Sequence, residues 1–494
     1  MWSALSALAL VLAAAAAAPA NNGWAFLGYG TKGIGRGGAE VAVADGALAA
    51  ARNPALLMEL PRVRLDGNLL WFLERTRSNS PFGDELIENS EPWPVPALGV
   101  AWDPDPAGPP AQTPWLDLGG GSWRLGFNLH QPVALVFAPS AVAAARLGPE
   151  LSVGCALNVL LALIHLDAGG GITGSGGGEV EYTPRGIVRV FREPDGTPVD
   201  PPRPYDAGTG EPVRWAEVFE LVTHSPPPPP GLAVDPTPGA ELEIRNAFGA
   251  GLQAQLGLLW RPRPELALGL AVRSPGIIFS PRGKGTLDLS RAVAAIDANP
   301  EAHELLQALV ETFVPNAGRR GYKARYRVEA DDLILPPVVS LGAAWWPNAR
   351  WMLALDVRWI GWDMAVDAID LVARRGDNED FNEINGGPDA EVRFPLFWRD
   401  QFVLALGTSV GLADWLAVRA GYNFGNDPVP ARTRSAGPIV IEHHLTFGAS
   451  VYWQGWDFDL AYVYGLPAQR FVESDGTTFK TELHLFYAGV GYQF

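Results

Sequence analysis

Trp351-Met352-Leu353-Ala354-Leu355-Asp356-Val357-Arg358-Trp359 is the stretch on which the fold turns. Alternate residues Trp351, Leu353, Leu355, Val357 and Trp359 are all large and apolar, while Asp356 and Arg358 fall on the other set with Met352 and Ala354. A period of two is the signature of a strand, because successive side chains leave opposite faces. A strand with one unbroken greasy face and one mixed face suits a wall between lipid and a lumen. The pattern recurs at 456–464, where Trp456, Phe458, Leu460, Tyr462 and Tyr464 oppose Asp457, Asp459, Ala461 and Val463. At 415–424, Leu416, Val418, Ala420, Tyr422 and Phe424 oppose Trp415, Ala417, Arg419, Gly421 and Asn423. Trp or Tyr often closes such a segment at both ends, as expected where a strand crosses two membrane interfaces.

A soluble β-sandwich alternates too, and the connections separate the two readings. Short ones fall at 147–150, 261–264, 346–349, 411–414 and 453–456; long ones fall near 74–92, 168–240, 291–320, 372–394, 425–438 and 466–481. Outer-membrane barrels sort their connections in this way, with short periplasmic turns and long outer loops. The spacing gives about fourteen strands, near 62–73, 93–103, 121–130, 133–146, 150–167, 241–260, 264–289, 321–346, 350–371, 395–410, 415–425, 439–453, 456–465 and 482–494. Strands five to eight exceed the roughly ten residues a bilayer needs and are expected to project outward. Part of 179–191 also reads as strand, and the proline run 226–230 belongs in a loop. The fold expected is all-β, a transmembrane antiparallel barrel. Its last strand ends Val490-Gly491-Tyr492-Gln493-Phe494, and the terminal aromatic resembles the signal read by the barrel assembly machinery.

Composition removes several functions. The 494 residues carry a net charge of −17 and show no cluster of Lys and Arg along the chain, which disfavours nucleic acid. Cys155 is the single cysteine, so neither an internal disulfide nor a cysteine-based metal site is expected. The seven His have no zinc-ligand spacing, and no cofactor is expected. There is no G-x-S-x-G, and His443, His444 and His484 have no evident Ser partner, so an enzyme is not expected. Residues 1–20 read as a cleaved signal peptide: an apolar run over 5–18, then Ala18-Pro19-Ala20, with the mature chain starting at Asn21.

Residues 21–61 do not read as wall. Gly30-Thr31-Lys32-Gly33-Ile34-Gly35-Arg36-Gly37-Gly38 lacks the G-K-[ST] and βαβ setting of a nucleotide loop, so it reads as compact, turn-rich backbone. Small residues over 39–51 suit a short helix, and Arg52-Asn53-Pro54-Ala55-Leu56 suits a turn into the first strand. The expected organisation is a hatch at 21–61 and a barrel at 62–494, with long outer loops at 168–240 and 291–320.

Gly23-Trp24, Gly33-Ile34-Gly35-Arg36, Asp45 and Arg52-Asn53-Pro54-Ala55-Leu56 resemble the hatch of the FadL family of long-chain fatty acid and hydrocarbon transporters. Leu335-Pro336-Pro337, Trp398-Arg399-Asp400 and Arg419-Ala420-Gly421-Tyr422 extend the likeness. The resemblance implies a fourteen-stranded barrel closed by its hatch, an outer groove, a tighter inner pocket and sideways exit through the wall. It makes Trp24, with Phe26 beside it, a ligand contact, and Gly35, Arg36, Asn53, Pro54 and Ala55 the hatch and gate. Arg36 is expected to pair with a carboxylate on the lumen wall, and Asp356, Arg358, Arg419, Asp457 and Asp459 to form ion pairs in a hydrated lumen. Leu305, Leu306, Leu309 and Phe313, at helical spacing with Val310 and Val314, are expected to line the outer groove. Two departures stand out: a short connection near Gln131-Pro132 and a long, proline-rich 168–240. The function implied is passive passage of hydrophobic molecules, foremost long-chain fatty acids, across a Gram-negative outer membrane, by a monomer lying among lipid and lipopolysaccharide. Hydrocarbon uptake is the alternative; a polar porin and an adhesin are rivals.

Overall fold

The computed structural model describes residues 25–80, 83–89, 95–103, 111–113, 116–118, 123–133, 136–168, 189–190, 204–205, 241–288, 290, 321–365, 367–385, 387–395, 397–430, 440–472 and 477–493. The signal-peptide reading of 1–20, Trp24, and the apolar stripe of Leu305, Leu306, Leu309 and Phe313 lie outside the described residues.

The wall has fourteen strands, several of them broken into pieces. They are β1 (Val63–Ser80), β2 (Gly83–Asn89 and Val95–Trp102), β3 (Trp123–Val133), β4 (Val136–Arg146), β5 (Leu151–Ala168) and β6 (Glu241–Arg263). Next come β7 (Leu266–Arg273 and Gly276–Asp288), β8 (Lys323–Ala330, Leu333–Leu335 and Val338–Asn348), β9 (Trp351–Ile360 and Ala368–Arg374) and β10 (Gln401–Ala413, preceded by Ala390–Pro395). The last four are β11 (Leu416–Gly425), β12 (His443–Trp453), β13 (Trp456–Val472) and β14 (Thr477–Gln493). Each pairs antiparallel with its chain neighbours, and β14 closes the ring on β1, with Gln493 opposite Arg64 and Thr478 opposite Asn79. Closure leaves no unpaired edge for lipid to meet. No helix among the described residues is long and apolar enough to cross a membrane; the chain crosses with strands.

The alternation read at 351–359 is the observed facing. Met352, Ala354, Asp356 and Arg358 are buried inside, while Trp351, Leu355 and Val357 are exposed. The same holds around the ring, where Phe127, Leu157, Leu256, Phe279, Leu341, Phe402, Phe447 and Leu460 turn outward. A soluble protein rarely exposes so continuous an apolar band. Trp260, Trp345, Trp351, Trp415, Trp453 and Trp456 are exposed beside the short turns and form the girdle at that interface.

Strand lengths are uneven. β5 has 18 residues and β6 has 23, so both rise well past the bilayer, as expected from their sequence. The β3–β4 hairpin is low. It turns after Val133, while β5 runs on from Ala162, the partner of Val136, to Ala168 with only β6 paired to it among the described residues. One connection departs from the short–long alternation. The 103–122 link, on the side of the short turns, is long and includes the antiparallel pair Ala111–Thr113 and Leu116–Leu118. Strands of three residues are too short to leave a legible period. Within 169–240, only Arg189–Val190 and Pro204–Tyr205, which pair with each other, are described.

Candidate functional site

The lumen is filled by the segment preceding β1. Among the described residues its one α-helical turn is Thr31–Ile34, followed by 3-10 turns at Ala47–Ala51 and Pro54–Glu59; the helix expected over 39–51 is confined to its last five residues. Gly37 and Gly38 take positive φ, +72° and +81°, which accounts for the glycines closing the run at 30–38. Asn53 caps the last turn by accepting from Ala55 N (3.1 Å), and its Nδ2 donates to Val41 O (2.8 Å) and to Leu258 O of β6 (3.1 Å). Asn53, Pro54 and Ala55 are fully buried, and they join the hatch to the wall.

Hatch and wall meet backbone to backbone. Gly35 lies against Gly448, and a Cβ on Gly448 would sit 3.1 Å from the Gly35 Cα. A Cβ on Gly421 would land on the Arg36–Gly37 peptide, and one on Gly154 would reach Ala55 N at 2.6 Å. Polar wall residues then hold hatch backbone directly. Asp356 accepts from Glu40 N (2.8 Å) and Val41 N (3.0 Å), Asn423 donates to Gly37 O (2.7 Å), and Gln255 donates to Arg52 O (2.7 Å). Thr446 accepts from Gly37 N (2.8 Å) and donates to Gly35 O (3.1 Å).

The inward charges are therefore buried under the hatch rather than bathed in water. Asp457 pairs with Lys32 of the hatch and with Arg64 (2.6 Å), while Arg419 and Asp459 both bond Ser450. Arg36 pairs with Asp45, another hatch residue, instead of a wall carboxylate, because the tight turn at 33–38 folds it back across its own segment. Burial pushes the Asp45 carboxyl up, but Arg36, Arg419 and Lys32 together hold it below the ordinary carboxylate value. A lowered native pKa stabilises above the unfolded pKa and is lost as pH falls through the native one. The hatch is thus expected to stay seated at neutral pH and to loosen below about pH 4. An Asp45→Asn hatch should be loose at both. Bilayer conductance against pH checks this, and an Asp45→Asn barrel as closed as wild type at neutral pH would remove the role given to Asp45.

Above the hatch the lumen turns apolar. Val136, Leu160, Ile278, Leu335, Ile360, Trp362, Trp398 and Val403 form one buried cluster against which Ala25 packs. Trp362 and Trp398 meet edge to face at 5.1 Å. At the base of this cluster is a cavity of about 20 Å³ lined by Ala25, Phe26, Tyr29, Leu335, Val338 and Ile360, and by Arg52, Arg273 and Arg358. The three guanidinium groups come from the hatch, β7 and β9. Arg52 pairs with Glu40 (3.0 Å) and lies over the Tyr29 ring. Arg273 donates to Tyr29 OH (2.8 Å) and Ala51 O (2.8 Å), and Arg358 Nη1 donates to Leu27 O (3.0 Å). Nε and Nη2 of Arg358 and Nε of Arg273 are buried without an acceptor among the described residues. Among the described residues, three cations thus face two carboxylates, Glu40 and Asp356, at the end of an apolar cluster. Buried donors of this kind are costly unless something accepts from them. Reading by alternation placed Arg358 inward but paired it; it missed Arg273, which continues the inward set Ala267, Gly269 and Ala271.

This plugged, fourteen-stranded wall has counterparts. The family described as "Outer membrane protein transport protein (OMPP1/FadL/TodX)" matches residues 140–450. The chain belongs to it. Its members are outer-membrane barrels that transport hydrophobic compounds, and this chain is one of them. Among solved structures, the toluene transporter TodX of Pseudomonas putida is 15% identical, with 96% of this chain and 100% of that one covered and a TM-score of 0.61. A Pseudomonas aeruginosa FadL homologue gives 13%, 96%, 100% and 0.61, and the Ralstonia pickettii toluene transporter TbuX gives 13%, 95%, 99% and 0.57. At such identities the likeness is one of fold. No curated protein sequence matches the chain.

Proposed function

We propose that this transporter takes up long-chain fatty acids, and that Arg358 and Arg273 receive the carboxylate. The observation that carries the reading is the set of unpaired guanidinium donors at the closed end of an apolar cluster. A hydrocarbon offers nothing to those donors. A carboxylate satisfies them, and charge-assisted bonds in a dry site are the strong ones. The cavity holds about one water, so a ligand enters by displacing Phe26, Ala25 and whatever precedes them, Trp24 included. Leu305, Leu306, Leu309 and Phe313 remain the proposed outer groove, with Arg36, Asn53 and their neighbours seating the gate. The low β3–β4 hairpin offers the sideways exit.

Hydrocarbon uptake is the second reading, favoured because TodX and TbuX are toluene transporters. Competition between labelled oleate and toluene for the detergent-purified protein separates them. Saturable oleate binding that toluene fails to displace supports the carboxylate pocket. Preference for toluene moves the substrate to hydrocarbons, and binding of neither removes both readings.

A further inference from the structure

Above the lipid-facing belt of Phe248, Phe279 and Ile334, the outer halves of β6 to β9 carry a row of like charges. Arg245 lies opposite Lys284, Lys284 opposite Arg327, and Arg327 opposite Arg374, one residue from each of four adjacent strands. All four are exposed. They leave the outer face, because Ala324, Tyr326 and Val328, which alternate with Arg325 and Arg327, are buried on the lumen side. Adjacent strands lie about 4.8 Å apart, so the row spans roughly 14 Å. Like charges directly opposite each other destabilise a sheet, and this chain is acidic overall, with a net charge of −17. The row is only partly neutralised. Glu243 pairs with Arg245, Asp389 with Arg374 (3.5 Å), and Glu329 with both Arg282 (2.7 Å) and Arg374 (4.0 Å). Lys284 and Arg327, at the centre, and Arg325 beside them have no carboxylate partner among the described residues.

We infer that this row binds the phosphates of the glycolipid in the outer leaflet, lipopolysaccharide. Three features fit that occupant. The row sits a few residues above Phe279, the depth at which a barrel's apolar belt gives way to headgroups. Arg with Lys is the pairing suited to phosphate, Arg by its fork of donors and Lys by its point charge. The acyl chains of the same molecule would lie on Phe248, Phe279 and Ile334 directly below. The charge repulsion built into the sheet is then relieved in the membrane where the protein works. This concerns the outside of the wall and is independent of the ligand proposed for the lumen.

The test uses the full-length protein in mixed micelles with purified bis-phosphorylated lipid A or its dephosphorylated form. The Lys284→Gln/Arg327→Gln variant is compared with wild type and with Arg263→Gln/Arg350→Gln, which removes the same charge at the opposite rim. Wild type and the rim variant are expected to bind the phosphorylated form roughly tenfold tighter than the dephosphorylated one, and the row variant to lose that preference. In lipid-free detergent the row variant should be the more heat-resistant of the two, an order that reverses once lipid A is added. Equal binding of both lipids by wild type would overturn the inference. So would a preference that survives in the row variant, or inorganic phosphate competing as well as lipid A does.

Discussion

A valine at Gly421 is expected to unseat the hatch and turn a plugged barrel into a conducting one. Gly421 is on the inward face of β11, and its missing side chain is what lets the Arg36–Gly37 peptide lie against the wall. A Cβ there would come within 2.7 Å of the Arg36 carbonyl oxygen, and neither partner can yield, since both are backbone. Overpacking costs about 1–3 kcal/mol in ordinary cores and more where nothing relaxes. At Gly421 the cheapest relief is to move the hatch and break the bonds from Thr446 and Asn423 to Gly35 and Gly37. The check is conductance of small polar solutes, with Ala420→Val, one residue along on the lipid face, as control. Ala420→Val should stay closed. If Gly421→Val fails to assemble, deleting 25–55 in the same variant should restore assembly, because the clash goes with the hatch. A Gly421→Val barrel that assembles and stays closed would show that the hatch seat does not depend on this contact.

The wall was legible because its physics is local. Each strand needs only that alternate residues suit lipid, and Trp351, Leu353, Leu355 and Val357 announce that without reference to anything distant. What was hidden depends on strands far apart in sequence. Arg52, Arg273 and Arg358 converge because the hatch runs past β7 and β9, and no spacing of three arginines over 306 positions (358 minus 52) reveals that. Arg36 went astray for a related reason: its partner depends on the positive φ of Gly37 and Gly38, which decide where the chain doubles back. The row of Arg245, Lys284, Arg327 and Arg374 is the same lesson on the outer face. A search for runs of Lys and Arg finds nothing, since each strand contributes one residue and register alone aligns them.

The hatch and two of the arginines are joined by hydrogen bonds. Arg358 and Arg273 each spend a bond on hatch backbone, at Leu27 O and Ala51 O, and keep others without an acceptor among the described residues, where hatch and apolar cluster meet. On the fatty acid reading, a carboxylate reaching these donors would compete for the groups that hold the hatch down, and binding and gating would draw on the same donors. Arg358→Met keeps much of the aliphatic volume and removes the charge. A charged hydrogen bond contributes about 1.5–3 kcal/mol, so the variant should bind oleate roughly 10- to 100-fold more weakly. Toluene, which asks nothing of the guanidinium, should bind as before. The loss of the Leu27 contact should also loosen the hatch, whereas the carboxylate-specific part appears as a difference between oleate and its methyl ester in wild type that vanishes in Arg358→Met. Titrations of both ligands against both proteins decide it. Equal weakening for oleate, its ester and toluene would mean that Arg358 only holds the hatch, and the carboxylate site would have to be sought elsewhere.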